Sequence, residues 1–363
     1  MKNTFFDSLM ISDSERIHTQ TLSWIFKLNG DIFPTLQKEK FVTRLFNLEE
    51  QISIESVYIE TELNSIDLFL DFGKNQIIIE NKLKSSEHSN QTTKYINSIP
   101  EKFNSEKIKH FGFLTLTSDK PQNENWTPIS FEKLLIELKK VNWKKNERDY
   151  IFVEEYINTL SNLVNVFNDF MTNHQKYSNV FNDGFKKKHD KNRYDDDYLD
   201  YVRVNQLETI FQKAFLNKII GEIEFYDYEI NETRGTALIQ VKIKEVSINN
   251  EKFYIGFQFQ GRTLKINVSH WDYGNSKAEM IDENLIEAFG KSFHRFNDFN
   301  RLNKPRSKAY ISVSKSIGKE LYQLTKEEIK NTLTREIKSL KLKIPKFEER
   351  INPRSTKSPD LVE

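Results

Sequence analysis

The chain has 363 residues, of which 54 are Lys or Arg and 53 are Asp or Glu, so its net charge of +1 neither predicts nor excludes a polyanionic partner. The absence of cysteine excludes disulfides, cysteine-ligated zinc, iron–sulfur clusters and thiol nucleophiles. An aromatic content of 13% and short periodic apolar segments indicate a folded protein despite a mean hydropathy of -0.65, and the length favours two domains.

The first half of the chain predicts two helices, three strands, a helix, a strand and two further helices. The segment "ISDSERIHTQTLSWIFKLNG" predicts a helix that is opened by a capping box of Ser12 and Glu15 and ends near Gly30, and a second helix covers "FPTLQKEKFVTRLFNL". Three strand-like runs follow, "ISIESVYIETE", "SIDLFLDF" and "NQIIIENKLK". A polar helix from His88 to about Asn97, a strand over "HFGFLTLTS" and helices over "SFEKLLIELKKV" and "YIFVEEYINTLSNLVNVFNDFM" complete this half.

The segment "FKKKHDKNRYDDDYLD" has dense charge and no apolar period, which is typical of a linker between domains. Beyond it, a helix over "NQLETIFQKAFLNKII" precedes the strand candidates "TALIQVKIKEV", "KFYIGFQFQ" and "TLKINVSHW", and helical segments lie near residues 279–289 and 325–340. The second half is therefore predicted to be an α+β domain built on an antiparallel meander. We place the first domain at residues 1–185, the linker at 186–200, the second domain at 201–345 and a polar tail at 346–363.

Targeting signals are not predicted by the sequence. The start of the chain lacks a long apolar core before its acidic residues, and no run of about 18 apolar residues occurs that would span a membrane. We therefore expect a cytoplasmic protein with no membrane partner.

The stretch "SIDLFLDFGKNQIIIENKLK" places two acids and a lysine among branched aliphatic residues. If Gly73 and Lys74 form the centre of a two-residue hairpin, Asp67 lies directly opposite Glu80. Opposed Cβ atoms in an antiparallel pair are roughly 4.5 to 5.5 Å apart, so the two carboxylates repel each other. Lys82 lies on the same face as Glu80, because residues i and i+2 of a strand share a face.

The repulsion between the two acids can be relieved in two ways. The carboxyl groups can share one proton, which strongly raises the pKa of one of them, or they can bind a divalent cation. Mg²⁺ or Mn²⁺ prefers oxygen ligands, polarises phosphoryl oxygens and lowers the pKa of water, and a neighbouring lysine can orient that water. These are the parts of a phosphodiester hydrolase. The alternative is structural: Asp67 and Lys82 lie at solvent-exposed strand ends, and Glu80 forms a salt bridge with Lys82.

The pattern of Asp67, Glu80 and Lys82 across a hairpin resembles the signature of the PD-(D/E)XK nuclease superfamily, and the predicted element order is similar to its αβββαβ restriction-endonuclease-like core. The run "IIIENKLK" followed by "NQTTKY" resembles the branch in which an I-E-N-K strand precedes a helix bearing Gln and Tyr, here Gln91 and Tyr95. The opening helix, with Glu15 and His18, is also similar to that branch. The resemblance covers roughly residues 10–170.

The resemblance implies a role for each matching residue. Asp67 and Glu80 would be metal ligands, joined by the backbone carbonyl of Asn81 and extended by Glu15, and the cofactor would be Mg²⁺ or Mn²⁺. Lys82 would be the catalytic lysine, and Gln91 would support water or substrate. Two positions depart from the family pattern: Ile66 stands where the superfamily usually has Pro, and Thr92 stands where the branch has an aliphatic residue.

The function implied is a Mg²⁺-dependent nuclease, with DNA as the favoured substrate and a role in bacterial anti-phage defence or in DNA processing. Alternatives remain open: a catalytically silent nuclease-fold module that binds nucleic acid or regulates a partner, and an effector that is inactive until a protein activator or partner subunit binds. A homo-oligomer is compatible with each of these. The sequence does not distinguish DNA from RNA or endonuclease from exonuclease action.

Several other residues have a functional and a structural interpretation. As the third residue of a capping box, Glu15 would bond its own helix terminus and face away from a metal. His18 is expected to pack rather than to act as a base, and Glu60 and Glu62 are expected to lie at a solvated strand end. The segment "KSFHRFNDFNRLNKPRSK" interleaves basic and aromatic residues as nucleic-acid-binding surfaces do, but its Phe residues at helical spacing favour core packing.

Overall fold

The computed structural model describes residues 1–84, 87, 91–100, 103, 106–117, 119–145, 147–182, 194–223, 227–233, 236–248, 250–270, 281–303 and 309–351. The chain divides into two compact units. The first unit comprises Met1–Thr172 and Lys187–Phe211, and the second comprises Asn173–Lys186 and Gln212–Glu363.

The first unit contains a five-stranded sheet in the order β1-β2-β3-β4-β5. Strands β1, β2 and β3 pair antiparallel, whereas the β3–β4 and β4–β5 pairs are parallel. The strands are β1 Tyr58–Leu63, β2 Ile66–Asp71, β3 Asn75–Lys82, β4 Ile108–Thr115 and β5 Trp126–Ser130. The helices of its N-terminal segment, in chain order, are α1 Phe5–Ser8, α2 Glu15–Lys27, α3 Thr35–Phe46, α4 Gln91–Ser98, α5 Phe131–Lys139 and α6 Arg148–Asn173.

This order confirms the predicted αβββαβ core, because α3 precedes β1, β2 and β3, and α4 connects β3 to β4. The parallel β3–β4 pair requires such a crossover helix, since parallel neighbours cannot be joined by a tight turn. Strand β5 is an addition that the sequence analysis missed. It contains Pro128, which is tolerated because β5 lies at the edge of the sheet.

The β2–β3 hairpin has the predicted turn. The N–H of Phe72 donates to the carbonyl of Asn75 at 2.8 Å, which leaves Gly73 and Lys74 as the two central residues. Gly73 has a φ of +91°, a backbone conformation that side chains with a Cβ rarely adopt. The register runs outward through Leu70↔Ile77 to Leu68↔Ile79, so its continuation by one residue brings Asp67 opposite Glu80.

Helix α2 begins two residues later than the predicted capping box implies. The N-cap is Ser14, whose Oγ accepts a hydrogen bond from the N–H of Ile17, and Ser12 instead donates to Asn205 Oδ1 at 3.0 Å. The prediction that Ser12 and Glu15 form a capping box is therefore wrong. The carboxylate of Glu15 is available for contacts with other parts of the fold.

The sheet of the first unit is apolar on both faces. Leu68, Leu70 and Ile77 are buried on one face, and Phe69 and Ile78 are buried on the other. A hydrophobic cluster packs on the second face. It contains Tyr95 of α4, Ile99 just after α4, and four further buried residues: Leu63, Ile66, Phe113 and Trp126. Asp67 and Glu80 lie on this second face, because they alternate with the residues of the first.

The second unit is built on a six-stranded antiparallel sheet in the order β10-β11-β9-β8-β7-β6. The strands are β6 Asp227–Thr233, β7 Thr236–Ile248, β8 Glu251–Gln260, β9 Thr263–His270, β10 Arg301–Asn303 and β11 Tyr310–Ser316. The remaining helices of the chain are α7 Ser178–Asn182, α8 Asp197–Val204, α9 Glu208–Gly221, α10 Glu283–Phe293, α11 Lys326–Lys341 and α12 Ile344–Ile351. The predicted α+β class and the β7-β8-β9 meander are confirmed.

The boundaries of the units differ from the predicted domain limits. Residues 201–211 belong to the first unit rather than to the second, and α8 begins inside the predicted linker at 186–200. The first six residues of the predicted tail at 346–363 are helical in α12. The remainder of the tail and residues 186–193 of the linker lie outside the described residues.

None of the helices in the described part of the chain combines the length and apolar character needed to cross a bilayer.

Substitution of Gly112 tests the packing of the first unit. A Cβ at this position in β4 would lie 2.8 Å from both Ile129 Cδ1 and Phe46 Cζ, so we expect Gly112→Ala to lower the free energy of unfolding by about 1–3 kcal/mol through overpacking. Urea denaturation followed by circular dichroism measures the change. Gly30→Ala is the matched control, because nothing lies within 4 Å of its Cβ position, and it should leave the midpoint unchanged or slightly raised. An unchanged midpoint for Gly112→Ala would contradict the packing described here.

Candidate active site

Two carboxyl groups and an ammonium group meet at the end of the β2–β3 hairpin. Glu80 is only 1% exposed, Asp67 is half-buried, and the Lys82 side chain is 12% exposed. The Nζ of Lys82 lies 2.6 Å from Oε1 of Glu80. The structural alternative from the sequence was correct about this ion pair, but it placed Asp67 and Lys82 in solvent, whereas the fold largely buries them.

The ladder between β2 and β3 opens at this point. In place of a backbone partner, the N–H of Asn81 donates to Oδ2 of Asp67 at 2.7 Å. The N–H and C=O of one residue in a strand point to the same side, so the carbonyl of Asn81 also points toward the Asp67 side. The carbonyl of Asn81 is therefore expected on the side of the two acids, and its role as a metal ligand stays a prediction.

Helix α2 supports the end of β3 through the side chain of Asn81. The amide Nδ2 of Asn81 donates to the backbone carbonyl of Glu15 at 2.9 Å and to Oγ1 of Thr19 at 3.2 Å. Thr19 was not predicted from the sequence, although it follows Glu15 by four residues and therefore shares its helix face. These bonds fix where the strand that carries Glu80 and Lys82 ends.

The carboxylate of Glu15 holds the backbone beyond β3. Its Oε1 accepts hydrogen bonds from the N–H groups of Leu83 at 2.8 Å and Lys84 at 2.9 Å. Glu15 thus faces the site rather than its own helix terminus, and its negative charge acts on both Asp67 and Lys82. A second contact between the same segments, the ion pair of Lys84 and Asp13, was not found from the sequence.

Gln91 lies at the first residue of α4 and contacts Tyr95 one turn later. Its Nε2 donates to the Tyr95 hydroxyl, and no hydrogen bond joins Gln91 to either acid within the described part of the chain. Burial, together with the nearby charges of Glu80 and Asp67, raises the pKa of Tyr95. The Gln–Tyr pair is therefore within electrostatic range of the acids, and the role of Gln91 in water or substrate binding stays a prediction.

The pKa values at the site are strongly shifted. Burial first, and then the charge of Asp67, raises the pKa of Glu80 from its ordinary value of 4.5 to about 8, although Lys82 opposes this shift. Burial also raises the pKa of Asp67. For Lys82, burial alone would lower the pKa, but attraction to Glu80, Asp67 and Glu15 outweighs it and raises the pKa. The site therefore holds a proton or attracts another cation near neutral pH.

The residues fit a divalent cation held by few protein ligands. Both Glu80 oxygens are buried and accept no hydrogen bond from a backbone or neutral side-chain donor among the described residues; the groups that reach them are the Lys82 ammonium, 2.6 Å from Oε1, and the Asp67 carboxyl group. Such oxygens next to a second carboxylate are what a hard cation with oxygen preference requires, and Mg²⁺ retains several waters in such sites. Asp67, Glu80 and the carbonyl of Asn81 would supply the protein ligands.

Glu15 does not complete a three-carboxylate group. Across the described residues, no three His, Cys, Asp or Glu side chains are gathered in an arrangement that could hold a metal. The interaction of Glu15 that the structure shows is with the amides after β3, and its role as a metal ligand stays a prediction.

His18, Glu60 and Glu62 have structural surroundings. His18 is 1% exposed, lies 2.8 Å from the Ser12 carbonyl and 3.2 Å from the Tyr156 hydroxyl, and its pKa is lowered by burial to about 4. Glu62 forms an exposed ion pair with Arg16 at 3.4 Å, and Glu60 accepts a hydrogen bond from the Tyr58 hydroxyl.

The αβββαβ core and the meeting of Asp67, Glu80 and Lys82 at the end of its hairpin define the class of nuclease domains with a restriction-endonuclease-like fold. In agreement with this, residues 4–176 match the model of the PD-(D/E)XK nuclease superfamily, and this part of the chain belongs to that superfamily. No curated protein and no solved structure matches the chain.

The raised pKa of Glu80 predicts how pH and metal affect stability. Between about pH 4.5 and pH 8 the folded protein without metal binds more protons than the unfolded chain, so its stability should fall as pH rises through this range. Mg²⁺ or Mn²⁺ binds the ionised carboxylates in competition with the proton, so either ion should raise the melting temperature more at pH 8 than at pH 6.

Differential scanning fluorimetry of chelated and metal-loaded protein measures both effects. Glu80→Gln is the control, because it removes the titrating group and should abolish most of the metal-dependent shift. A shift of equal size at both pH values, or one retained in Glu80→Gln, would place the cation elsewhere.

Proposed function

We propose that the first unit hydrolyses phosphodiester bonds in nucleic acid with the help of Mg²⁺ or Mn²⁺, and that DNA is its substrate. The observation that carries the proposal is the burial of the Glu80 carboxylate beside Asp67, with the Lys82 ammonium 2.6 Å from Oε1 and no backbone donor to either oxygen among the described residues. Membership of the first unit in a nuclease superfamily supports phosphodiester hydrolysis as the reaction. A role in anti-phage defence or DNA processing is part of the same proposal.

The chemistry that a divalent cation supplies at such a site is polarisation of a phosphoryl oxygen and a lower pKa for the attacking water. Asp67 and Glu80 would hold the cation together with the carbonyl of Asn81. With its raised pKa, Lys82 remains an ammonium throughout the physiological range. Its positive charge can orient the attacking water or offset the charge that develops at phosphorus.

The residues around the acids serve to hold this arrangement. Asn81 is fixed by Thr19 and by the backbone of α2, and the amides after Lys82 are fixed by Glu15. Positioned groups of this kind matter because a catalytic constellation loses activity when its members shift by as little as about 1 Å. We propose that Gln91 acts with Tyr95 on the α4 side to contact water or substrate.

A second candidate function is that of a nuclease-fold module that binds nucleic acid or regulates a partner without turnover. The ion pair between Lys82 and Glu80 favours this alternative, because it partly neutralises the acids in the absence of a metal. An effector that is silent until an activator binds would behave in the same way in an assay of the isolated protein.

Substitutions at the site test the hydrolytic proposal. We expect Lys82→Ala and Asp67→Asn each to lower the rate of DNA cleavage by at least about 100-fold, because each removes a charge that acts on the reacting phosphate or its cation. The measurement is cleavage of labelled single- and double-stranded DNA and RNA by full-length protein with Mg²⁺, Mn²⁺ or chelator, and with candidate activators added.

Asp71→Asn is the matched control for these variants. Asp71 is a buried carboxylate on the same strand and contacts a lysine, since Lys107 donates to it at 2.8 and 2.9 Å, but it lies at the turn end of the hairpin. It should retain cleavage within a few-fold even if it is less stable. Cleavage that persists in Lys82→Ala would refute the proposed role of Lys82, and nucleic-acid binding without cleavage under every condition would favour the silent module.

A further inference from the structure

The six-stranded sheet of the second unit has two chemically different faces. On one face, a row of directly paired residues from neighbouring strands is apolar: Leu302, Val313, Ile266, Phe257 and Val241. One residue away, the row on the opposite face is polar across the whole sheet: Arg301, Ser314, Lys265, Gln258, Gln240 and Glu229. Paired residues share a face, so the alternation separates an apolar from a polar surface.

Helices of the second unit contact the apolar face. Glu336 of α11 pairs with Lys315 at 2.9 Å, and Glu348 of α12 pairs with Lys244 at 2.7 Å. Lys315 lies opposite Leu264 and Lys244 lies opposite Ile255, so both lysines are on the apolar side. Helices α11 and α12 therefore contact the apolar side of the sheet through these ion pairs.

The polar face carries positive charge at one end of the sheet. The strands β8, β9, β10 and β11 present Lys252, Lys265 and Arg301 on this face. The acid of these strands, Glu251, is paired with Ile248 and therefore lies on the apolar side. The acids of the face lie on β6 and at the far end of β7, where Glu229 pairs with Lys242 and Glu245 pairs with Lys252.

Lys265 and Arg301 have no carboxylate within ion-pair distance among the described residues. Lys265 is half-buried, and this burial lowers its pKa because no anion compensates for the loss of water. Arg301 is exposed at the edge strand. Such cations are suited to phosphate groups, which would supply the missing negative charge.

Side chains that can contact bases share the face of the two cations: Gln258 is directly paired with Lys265, and the row of Tyr310 and Tyr254 crosses the sheet four residues further along β9. Tyr310 donates from its hydroxyl to Gln258 Oε1 at 3.3 Å, and Tyr254 lies two strands away in the same row, about 10 Å across the sheet. The half-buried amide side chain of Gln240 lies in the same row as Lys265 and Gln258. Rings and amides next to unpaired cations are the composition of surfaces that bind single strands.

We propose that the polar face of the six-stranded sheet binds single-stranded nucleic acid, with phosphates at Lys265 and Arg301 and bases against Tyr254, Tyr310 and the neighbouring amides. The proposal rests on the proposed function in that it gives the substrate of the first unit a second binding surface on the same chain. A duplex fits less well, because the sheet is about 24 Å across and the major groove about 12 Å wide, so the sheet cannot reach base edges that are paired.

The test measures binding without cleavage. The full-length protein is titrated in chelator against a labelled single strand of about 20 nucleotides by fluorescence anisotropy, and a gel confirms that the strand stays intact. The double variant Lys265→Gln/Arg301→Gln should weaken binding at least about tenfold at low salt and reduce the slope of log affinity against log salt by about 1.4, since each phosphate contact contributes about 0.7.

The matched control is Lys338→Gln/Lys346→Gln, which removes the same charge from exposed positions on α11 and α12. It should change the affinity less than about threefold, because its cations lie on helices rather than on the polar face. Melting temperatures verify that both double variants are folded. Equal weakening by the two double variants, or unchanged binding by the first, would overturn the proposal.

Competitors decide the class of ligand. The single-strand assignment would be overturned if duplex DNA binds more tightly than the single strand and its binding is weakened equally by Lys265→Gln/Arg301→Gln. If polyglutamate competes as well as the oligonucleotide, the ligand would be an acidic protein instead. Failure of the proposed function is separable from failure of this inference. If the oligonucleotide binds as expected but is not cleaved in Mg²⁺ or Mn²⁺, only the proposed hydrolytic function is refuted. If the protein cleaves nucleic acid but Lys265→Gln/Arg301→Gln leaves binding unchanged, only the single-strand binding proposal is refuted.

Discussion

The opposition of Asp67 and Glu80 across one antiparallel strand pair is the constraint on which the candidate site depends. Two carboxyl groups at that separation cannot both ionise in a buried environment without compensation, so the fold has to supply positive charge. Lys82, two residues further along the same strand, supplies part of it at 2.6 Å from Glu80. Lys82 neutralises the buried pair of acids only in part, which supports the proposed place of a divalent cation in the same arrangement.

The supports of the site come from a different part of the first unit. Helix α2 contributes the backbone carbonyl and the carboxylate of Glu15 and the hydroxyl of Thr19, and together they hold the last residues of β3. The charged groups of the candidate site and the groups that hold them therefore belong to regular elements, the β2–β3 hairpin and α2. A site built on strands and a helix keeps its geometry better than one built on loops.

Local patterns were enough to predict the hairpin and most of the core. Gly73 set the turn and hence the register, and the alternation of β2 and β3 set which residues share a face. The capping box failed because Ser12 and Ser14 are equally good N-caps in isolation, and the contacts of Glu15 with the distant amides of Leu83 and Lys84 are decided by tertiary structure.

Two strands show the limits of local patterns in different ways. Strand β5 was missed because it is short and contains Pro128, and only its position at the sheet edge makes it compatible with pairing. Strand β11 was also missed, although the alternation of serine with Ile311 and Val313 is typical of a strand with one buried face; in the structure Ser312 and Ser314 are buried as well. The phenylalanines of the segment at residues 291–308 were expected to pack in the core because they recur at helical spacing. Phe293 and Phe299 are fully buried, so core packing is confirmed for these two residues.

The two-residue turn at Gly73 and Lys74 also limits how this chain can change during evolution. Side chains alternate along a strand, so the gain or loss of one residue in the turn would exchange the two faces of β3 relative to β2. Glu80 and Lys82 would then point away from Asp67. The aliphatic side chains of β3 would likewise move to the opposite face of the sheet. Turn length is thus inherited together with the charged residues, and lineages that keep the motif letters but alter this spacing would be expected to have lost the site.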